Sequence, residues 1–155
     1  QPFRNTPVTI DYVHKTIFFN KKTKKEKSID IQISDHAGKS LDIFTFVKLN
    51  DTLTIQVELD SGSGANSYWF SSKFMEYLAL NKTDFKIKPI KGEFNKENNF
   101  YIGKLRKLEI QNVSTLDTIN VAFVDGLIHE GKTGIDWLGK ILTIDLAKKK
   151  IFIAE

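Results

Sequence analysis

The chain has 155 residues, 41% of them hydrophobic and 27% charged, a composition that fits one globular domain with a real core and excludes a disordered or coiled-coil chain. Twenty-three Lys and Arg against 19 Asp and Glu leave a formal charge of +4 at pH 7, too weak a balance to imply nucleic acid. The absence of cysteine removes disulfides, thiol nucleophiles, Cys-based zinc sites and iron–sulfur clusters together. No apolar run approaches the roughly 20 residues of a membrane-spanning helix, and the first residues carry no signal-peptide pattern.

Apolar residues fall mostly in short alternating runs. Residues 8–12 and 16–19 read as the arms of a hairpin turning near His14 and Lys15. Lys21-Lys22-Thr23-Lys24-Lys25-Glu26-Lys27 lacks the interleaved aromatics that stack on bases, and reads as a solvated linker. Residues 29–33 alternate Ile with polar residues as a single strand. Segments 44–49 and 53–59 flank Asn50-Asp51, a turn dipeptide, and form a second hairpin. Residues 71–80 break the rhythm. Phe74, Tyr77 and Leu78 share a helical face there, behind a serine cap. Further strands are expected at 85–90, 100–102, 105–110, 118–124, 141–146 and 151–153, with a helical turn at 136–139. Many short strands of this spacing indicate a β-sandwich or small barrel.

The chain repeats itself. Residues 8–19, Val-Thr-Ile-Asp-Tyr-Val-His-Lys-Thr-Ile-Phe-Phe, align with 142–153, Leu-Thr-Ile-Asp-Leu-Ala-Lys-Lys-Lys-Ile-Phe-Ile. Six of the 12 positions are identical, where average composition gives about one. Phe3 and Trp137 fall in the same register. The match suggests that residues 1–19 are the tail of a preceding copy of the domain. Its alternative is two edge hairpins that converged on one simple pattern.

The sharpest local feature is Leu59-Asp60-Ser61-Gly62-Ser63-Gly64. An alternating strand runs straight into a carboxylate and a hydroxyl, then into glycines that tolerate an abrupt turn. Small residues there let backbone N–H groups approach and hold the carboxylate. Alone, the motif is also an ordinary Asp-Ser-Gly turn. Its context is more specific: a short strand at Tyr68-Trp69-Phe70, the helix, and far downstream Gly131-Lys132-Thr133-Gly134-Ile135-Asp136-Trp137-Leu138 before a final Thr-Ile-Asp hairpin.

Together these motifs resemble the retropepsin-like aspartyl proteases, particularly their bacterial members, over residues 40–155. The resemblance implies an all-β fold, a small closed barrel with one short α-helix. Residues 1–20 would be the closing hairpin of a preceding lobe or an interface hairpin, 21–39 a linker and first strand, and 40–155 the lobe itself. It implies an aspartic endopeptidase, or a catalytically inactive module of the same fold that binds a peptide or protein. In the enzyme, two carboxylates about 3 Å apart share a proton and activate a water. Asp60 would be one of them, with Ser61 bonding across the lobe interface and Gly62 holding the carboxylate. The chain has one Asp-Ser/Thr-Gly, so the second must come from a symmetric copy or a preceding lobe. A flap is expected between about residues 88 and 104, closing over a peptide through Phe94, Phe100 and Tyr101, unless those aromatics pack inward. No metal or other cofactor is implied, and the family's exported bacterial members favour an extracytoplasmic place. One departure stands out. Where the family has an apolar pair supporting the catalytic loop, this chain has Lys132-Thr133, costly to bury without partners.

Other chemistries fit less well. His14, His36 and His129 are far apart in no metal-ligand spacing, and His129-Glu130 reads as a solvated turn. Ser71 and Ser72 have no nearby histidine and suit a helix cap. Gly126 to Thr133 satisfies the phosphate-loop pattern Gly-x-x-x-x-Gly-Lys-Thr, but a nucleotide site needs a helix opening at Lys132.

Overall fold

The computed structural model describes residues 3–20, 27–91 and 97–154. In chain order the strands are β1 (Val8–Asp11), β2 (Thr16–Phe19), β3 (Lys27–Asp30), β4 (Gln32–His36), β5 (Ser40–Leu49), β6 (Leu53–Leu59) and β7 (Tyr68–Ser71). After the helix α1 (Phe74–Tyr77) come β8 (Lys86–Lys91), β9 (Glu97–Ile110), β10 (Ser114–Val124), β11 (Gly131–Thr133), β12 (Ile141–Asp145) and β13 (Lys150–Ala154). The fold is mostly β, with this one short α-helix among the described residues.

The larger sheet runs β4-β5-β6-β11-β7-β10-β9-β8, and β5 also pairs with β9 through Lys48–Glu109 and Leu49–Leu108. That extra pairing closes a ring of six strands, which removes most of the open edge a flat sheet would leave. Asn50 helps to close it. Asn50 and Asp51 both have positive φ, the conformation of a tight hairpin turn. The Asn50 side chain accepts from Lys107 N–H at 3.0 Å, while its own N–H donates to the Lys107 carbonyl. Inside lie Val47, Ile55, Val57, Phe70, Met75, Leu105, Leu108 and Phe123, all essentially inaccessible.

Four sequence expectations are corrected. Residues 29–33 are two strands, not one: β3 pairs with β13 and β4 with β5. The chain crosses between sheets at Asp30, whose N–H and carbonyl are both taken by the Gln111 side chain. Residues 100–110 form one strand because Gly103 continues it, its bare Cα lying under the Phe85 ring. A Cβ there would sit 2.3 Å from Phe85 Cδ1. Gly103→Ala is therefore expected to cost about 1–3 kcal/mol by overpacking, read as a lowered urea midpoint. An unchanged midpoint would refute the contact. The helical segment is shorter than 71–80 and has no serine cap: Lys73 is its N-cap and makes no side-chain cap bond. Ser71 ends β7, and the Ser72 hydroxyl binds Asp125. Phe74 and Met75 are buried, while Tyr77 points outward. Finally, Lys132 and Thr133 lie in β11, not at a helix start, which overturns the nucleotide-site alternative.

The smaller sheet runs β2-β1-β12-β13-β3 with antiparallel neighbours throughout. Its register is symmetric about one residue pair. Thr9 lies opposite Thr143, Val8 opposite Ile144 and Ile10 opposite Leu142. In the repeat Val8 corresponds to Leu142, Thr9 to Thr143 and Ile10 to Ile144, so each cross-strand pair maps onto another under a two-fold rotation. The buried Thr9 and Thr143 hydroxyls hydrogen-bond each other at 2.9 Å on that axis. Asp11 and Asp145, both buried, each accept the backbone N–H three residues on, from His14 and Lys148.

Burial does not follow the symmetry. Ile151 and Ile153 are 1% and 6% exposed, whereas their counterparts Ile17 and Phe19 are 60% and 55% exposed. Strand β3 covers the outer edge of β13. Among the described residues no strand pairs with the corresponding edge of β2.

Candidate active site

Strand β6 buries Ile55, Val57 and Leu59 on alternate positions, and the next residue is Asp60. Strand β11 is wedged between β6 and β7, parallel to the first and antiparallel to the second. This wedge fixes the start of the loop, because Asp60 N–H donates to the Thr133 carbonyl at 2.9 Å. The loop then turns on itself. Gly62 N–H donates to Asp60 Oδ1 at 2.7 Å, and the Ser63 hydroxyl donates to the Asp60 carbonyl at 2.9 Å. The Asp60 carboxylate is thus held by backbone N–H at the end of a strand, as the sequence suggests, and remains partly accessible.

The other carboxylate oxygen meets a charge. Lys132 Nζ lies 2.6 Å from Asp60 Oδ2. The parallel register sets Lys132 beside Glu58 and Thr133 beside Leu59, which brings the Lys132 side chain to the end of β6. This ammonium, then the Gly62 N–H, hold the Asp60 carboxyl below the usual carboxylate range. Asp60 in turn raises the Lys132 ammonium, with further help from Glu58 and Asp42. With a lowered Asp60 and a raised Lys132, the pair's stabilisation is full between the two ordinary values. It fades as pH falls through the depressed Asp60 value or rises through the elevated Lys132 value. Both groups are partly solvated, so the pair contributes about 1 kcal/mol or less.

The polar pair Lys132-Thr133 is accommodated without an unpaired buried group. Thr133 is fully buried, and its hydroxyl donates to the Gly134 carbonyl at 3.0 Å. The Trp137 indole N–H donates to the same carbonyl at 3.0 Å, from a 3₁₀ turn over Asp136–Leu138 where the sequence expects one. Gly134 itself is needed at a close approach. A Cβ would lie 2.9 Å from the Gly64 carbonyl oxygen, and its N–H already donates to Ser67. Gly134→Ala is expected to push the Asp60 loop away and cost about 1–3 kcal/mol. Thermal unfolding checks the cost and the Gly62 amide shift the displacement; an unmoved Gly62 resonance would exclude it.

Ser61 is exposed and shares a depression of about 510 Å³ with Tyr12, Gly134, Ile135, Asp136 and Lys140. Tyr12 comes from the β1–β2 turn, so the Asp60 loop faces the N-terminal hairpin across this depression. Asp136 acts on both nearby tyrosines. Burial, and secondarily this carboxylate, push the Tyr68 phenol up to about 12, and the same two causes raise Tyr12.

The remaining expected site residues are spread differently. The β8–β9 hairpin stands where a flap is expected. Phe94 lies outside the described residues. Phe100 is half-buried, edge-on to Trp69 with ring centroids 5.4 Å apart. Tyr101 turns into the core at 7% exposure, as in the inward-packed alternative. Asp125, not singled out from the sequence, ties the second strand of this hairpin at Asn99. It takes the Ser72 hydroxyl and Asn99 N–H on its carboxylate, and its own N–H donates to the Asn99 carbonyl. The turn at His129-Glu130 is not merely solvated. Glu130 accepts Gln56 N–H at 2.8 Å, and His129 packs edge-on to Phe44. Among the described residues no cluster of three metal-ligating side chains occurs, and no helix is long and apolar enough to cross a membrane.

The arrangement defines the class of fold. A solved structure of a retropepsin-like aspartic protease from Rickettsia conorii superposes with a TM-score of 0.55, covering 84% of this chain and 94% of that one at 18% identity. The chain therefore has a retropepsin-like fold. No family model matches its sequence, and no curated protein does.

Proposed function

We propose that this chain is one lobe of an aspartic endopeptidase and that Asp60 supplies one of its two carboxylates. The observation that supports this best is the presentation of Asp60. It sits at the end of a barrel strand, gripped by Gly62 N–H and partly open, in a fold shared with a retropepsin-like protease. In such a site one carboxyl is ionised and the other protonated. The ionised group takes a proton from water as the water oxygen bonds to the scissile carbonyl carbon, and the protonated group gives its proton to the carbonyl oxygen. Collapse of the tetrahedral species breaks the C–N bond. The first carboxyl then protonates the leaving nitrogen, and the second recovers its proton from the new hydroxyl. A carboxylic acid and an amine result, with no cofactor consumed. Phe100 and the half-exposed Trp69 beside it line the substrate side of the hairpin, and Ser61 bonds to the complementary lobe.

That lobe is one whose closing hairpin is residues 1–20. The two-fold register about Thr9 and Thr143 supports this assignment, as does the exposure of Ile17 and Phe19 where Ile151 and Ile153 are buried. The complementary barrel would cover β2 as this barrel covers β13.

Lys132 favours a second reading. Its contact with Asp60 is one that a module binding peptides without cleaving them tolerates well. Incubating the two-lobed protein with a peptide library from acid to neutral pH, with products read by mass spectrometry, separates the two. Cleavage lost in Asp60→Asn supports the endopeptidase, whereas binding without cleavage by the wild type supports the module.

A further inference from the structure

Two identical carboxylates leave open which is the base and which the acid. In a symmetric dimer nothing distinguishes them, and the pair titrates as one unit. Here the surroundings are not those of a bare carboxylate. Lys132 Nζ is 2.6 Å from Asp60 Oδ2, closer than any other charged group to that carboxylate among the described residues. Lys132 is held from a strand rather than a loop, since β11 is hydrogen-bonded on both sides, so its Cα has little freedom to withdraw. Both side chains are about 30% exposed, which moderates the field without abolishing it.

We propose that Lys132 is a positioning residue that holds the charge on Asp60 and, opposite a complementary lobe with no lysine at the matching position, leaves the shared proton on that lobe's carboxyl. Asp60 is then the group that accepts the proton of the attacking water, and the other carboxyl protonates the scissile carbonyl oxygen. The inference rests on the endopeptidase function proposed above. Its chemistry is consistent with the bonds Asp60 already makes. A carboxylate has about four acceptor positions; Gly62 N–H uses one on Oδ1 and Lys132 one on Oδ2, so each oxygen keeps room for a proton.

The other charges around the pair do not undo this. Glu58 on β6 and Asp42 on β5 also act on the Lys132 ammonium. Each of these carboxylates has a histidine beside it: His129 lies 3.8 Å from Glu58 and His36 2.8 Å from Asp42. Asp136 follows β11, beyond Gly134, and acts on Tyr12 and Tyr68. Three carboxylates thus keep Lys132 charged, and only Asp60 is in contact with its ammonium.

The sign of the effect follows. A neighbouring cation lets a carboxyl ionise at lower pH, by about one to three units when the contact is close. The acidic limb of the pH–rate profile for kcat/KM therefore lies lower in the wild type than in a variant without the charge. Lys132→Met in the two-lobed protein is expected to move that limb up by about half a unit, the size a partly solvated pair gives, while Lys132→Arg keeps it near its wild-type place. The carboxyl carbon of Asp60, followed by NMR in the same proteins, is expected to titrate below the ordinary range in the wild type and Lys132→Arg and within it in Lys132→Met. Comparing thermal unfolding of the three proteins shows whether Met is tolerated; if it is not, Lys132→Gln takes its place. An acidic limb unmoved by loss of the charge, in a protein whose Asp60→Asn variant is dead, overturns the role of Lys132 and leaves the endopeptidase standing. So does a large gain in rate with an unmoved limb, which would make Lys132 a plug. Failure of the wild type to cleave at any pH overturns the endopeptidase and the assignment of its base together.

Discussion

Asp60→Asn is expected to reduce peptide hydrolysis by at least about 1000-fold, within the range that general acid–base catalysis contributes. The amide is nearly isosteric and its oxygen can still accept Gly62 N–H, so the local turn survives. What it cannot do is take a proton from water, because a carboxamide is not a base at any pH the fold withstands. The substitution also leaves Lys132 without its anion. That loss is small for stability, since the ammonium is partly solvated and water replaces the carboxylate. Folding should therefore be nearly unchanged, with a melting temperature within about 4 °C of the wild type, and the comparison isolates the chemistry. Activity equal to the wild type would remove Asp60 from the reaction. A variant that has lost both activity and fold would show instead that the Gly62 and Lys132 contacts are structural.

The same pair shapes the pH dependence of the site. Because Lys132 depresses Asp60, its carboxylate persists to lower pH than an isolated one. The Asp60 loop then keeps its ion pair under acidic conditions in which unpaired surface carboxylates are protonated.

How much of this was legible in the residues depends on the range of each interaction. Strands such as β6 and β12 announce themselves because period-2 alternation is local, and Asn50-Asp51 announces its turn because both residues tolerate positive φ. Alternation does not say which sheet a strand joins. Ile29 and Ile31 are both buried, yet the chain changes sheets between them, around a Gln111 side chain 81 positions further on. The Asp60 motif was legible because its grip is short-range, from Gly62 two residues on. The partner of Asp60 was visible only as an anomaly, a polar pair at 132–133 where an apolar one is expected. Its meaning depends on a parallel pairing between β6 and a three-residue strand too short to show any period. The phosphate-loop pattern over the same residues failed for a related reason, since a motif without its helix has no anion site. Ser72 reads as a cap from its neighbours, whereas its hydroxyl goes to the carboxylate of Asp125, 53 residues away.

The proposed complementary lobe predicts a second large effect. Ile17 and Phe19 occupy the positions of Ile151 and Ile153 under the two-fold axis, but are exposed. If a second barrel covers β2 as this one covers β13, each of these side chains contributes about 1.5–3 kcal/mol on burial. Replacing both with Asp forfeits that and places two charges in an apolar contact. The two-lobed protein is then expected to lose its fixed interlobe arrangement, by roughly 100- to 10,000-fold in the docking equilibrium, and its hydrolytic activity with it. This lobe alone should keep its fold, because both residues are more than half exposed in it. The matched pair Ile151→Asp and Ile153→Asp is expected to unfold the lobe itself, since those positions are buried. Small-angle scattering and limited proteolysis of the Ile17→Asp, Phe19→Asp protein read the first effect, and a urea titration of each variant reads the second. A two-lobed protein that stays compact and active with Asp at 17 and 19 would place the complementary lobe elsewhere. The symmetry about Thr9 and Thr143 would then be a property of one sheet and not of an enzyme.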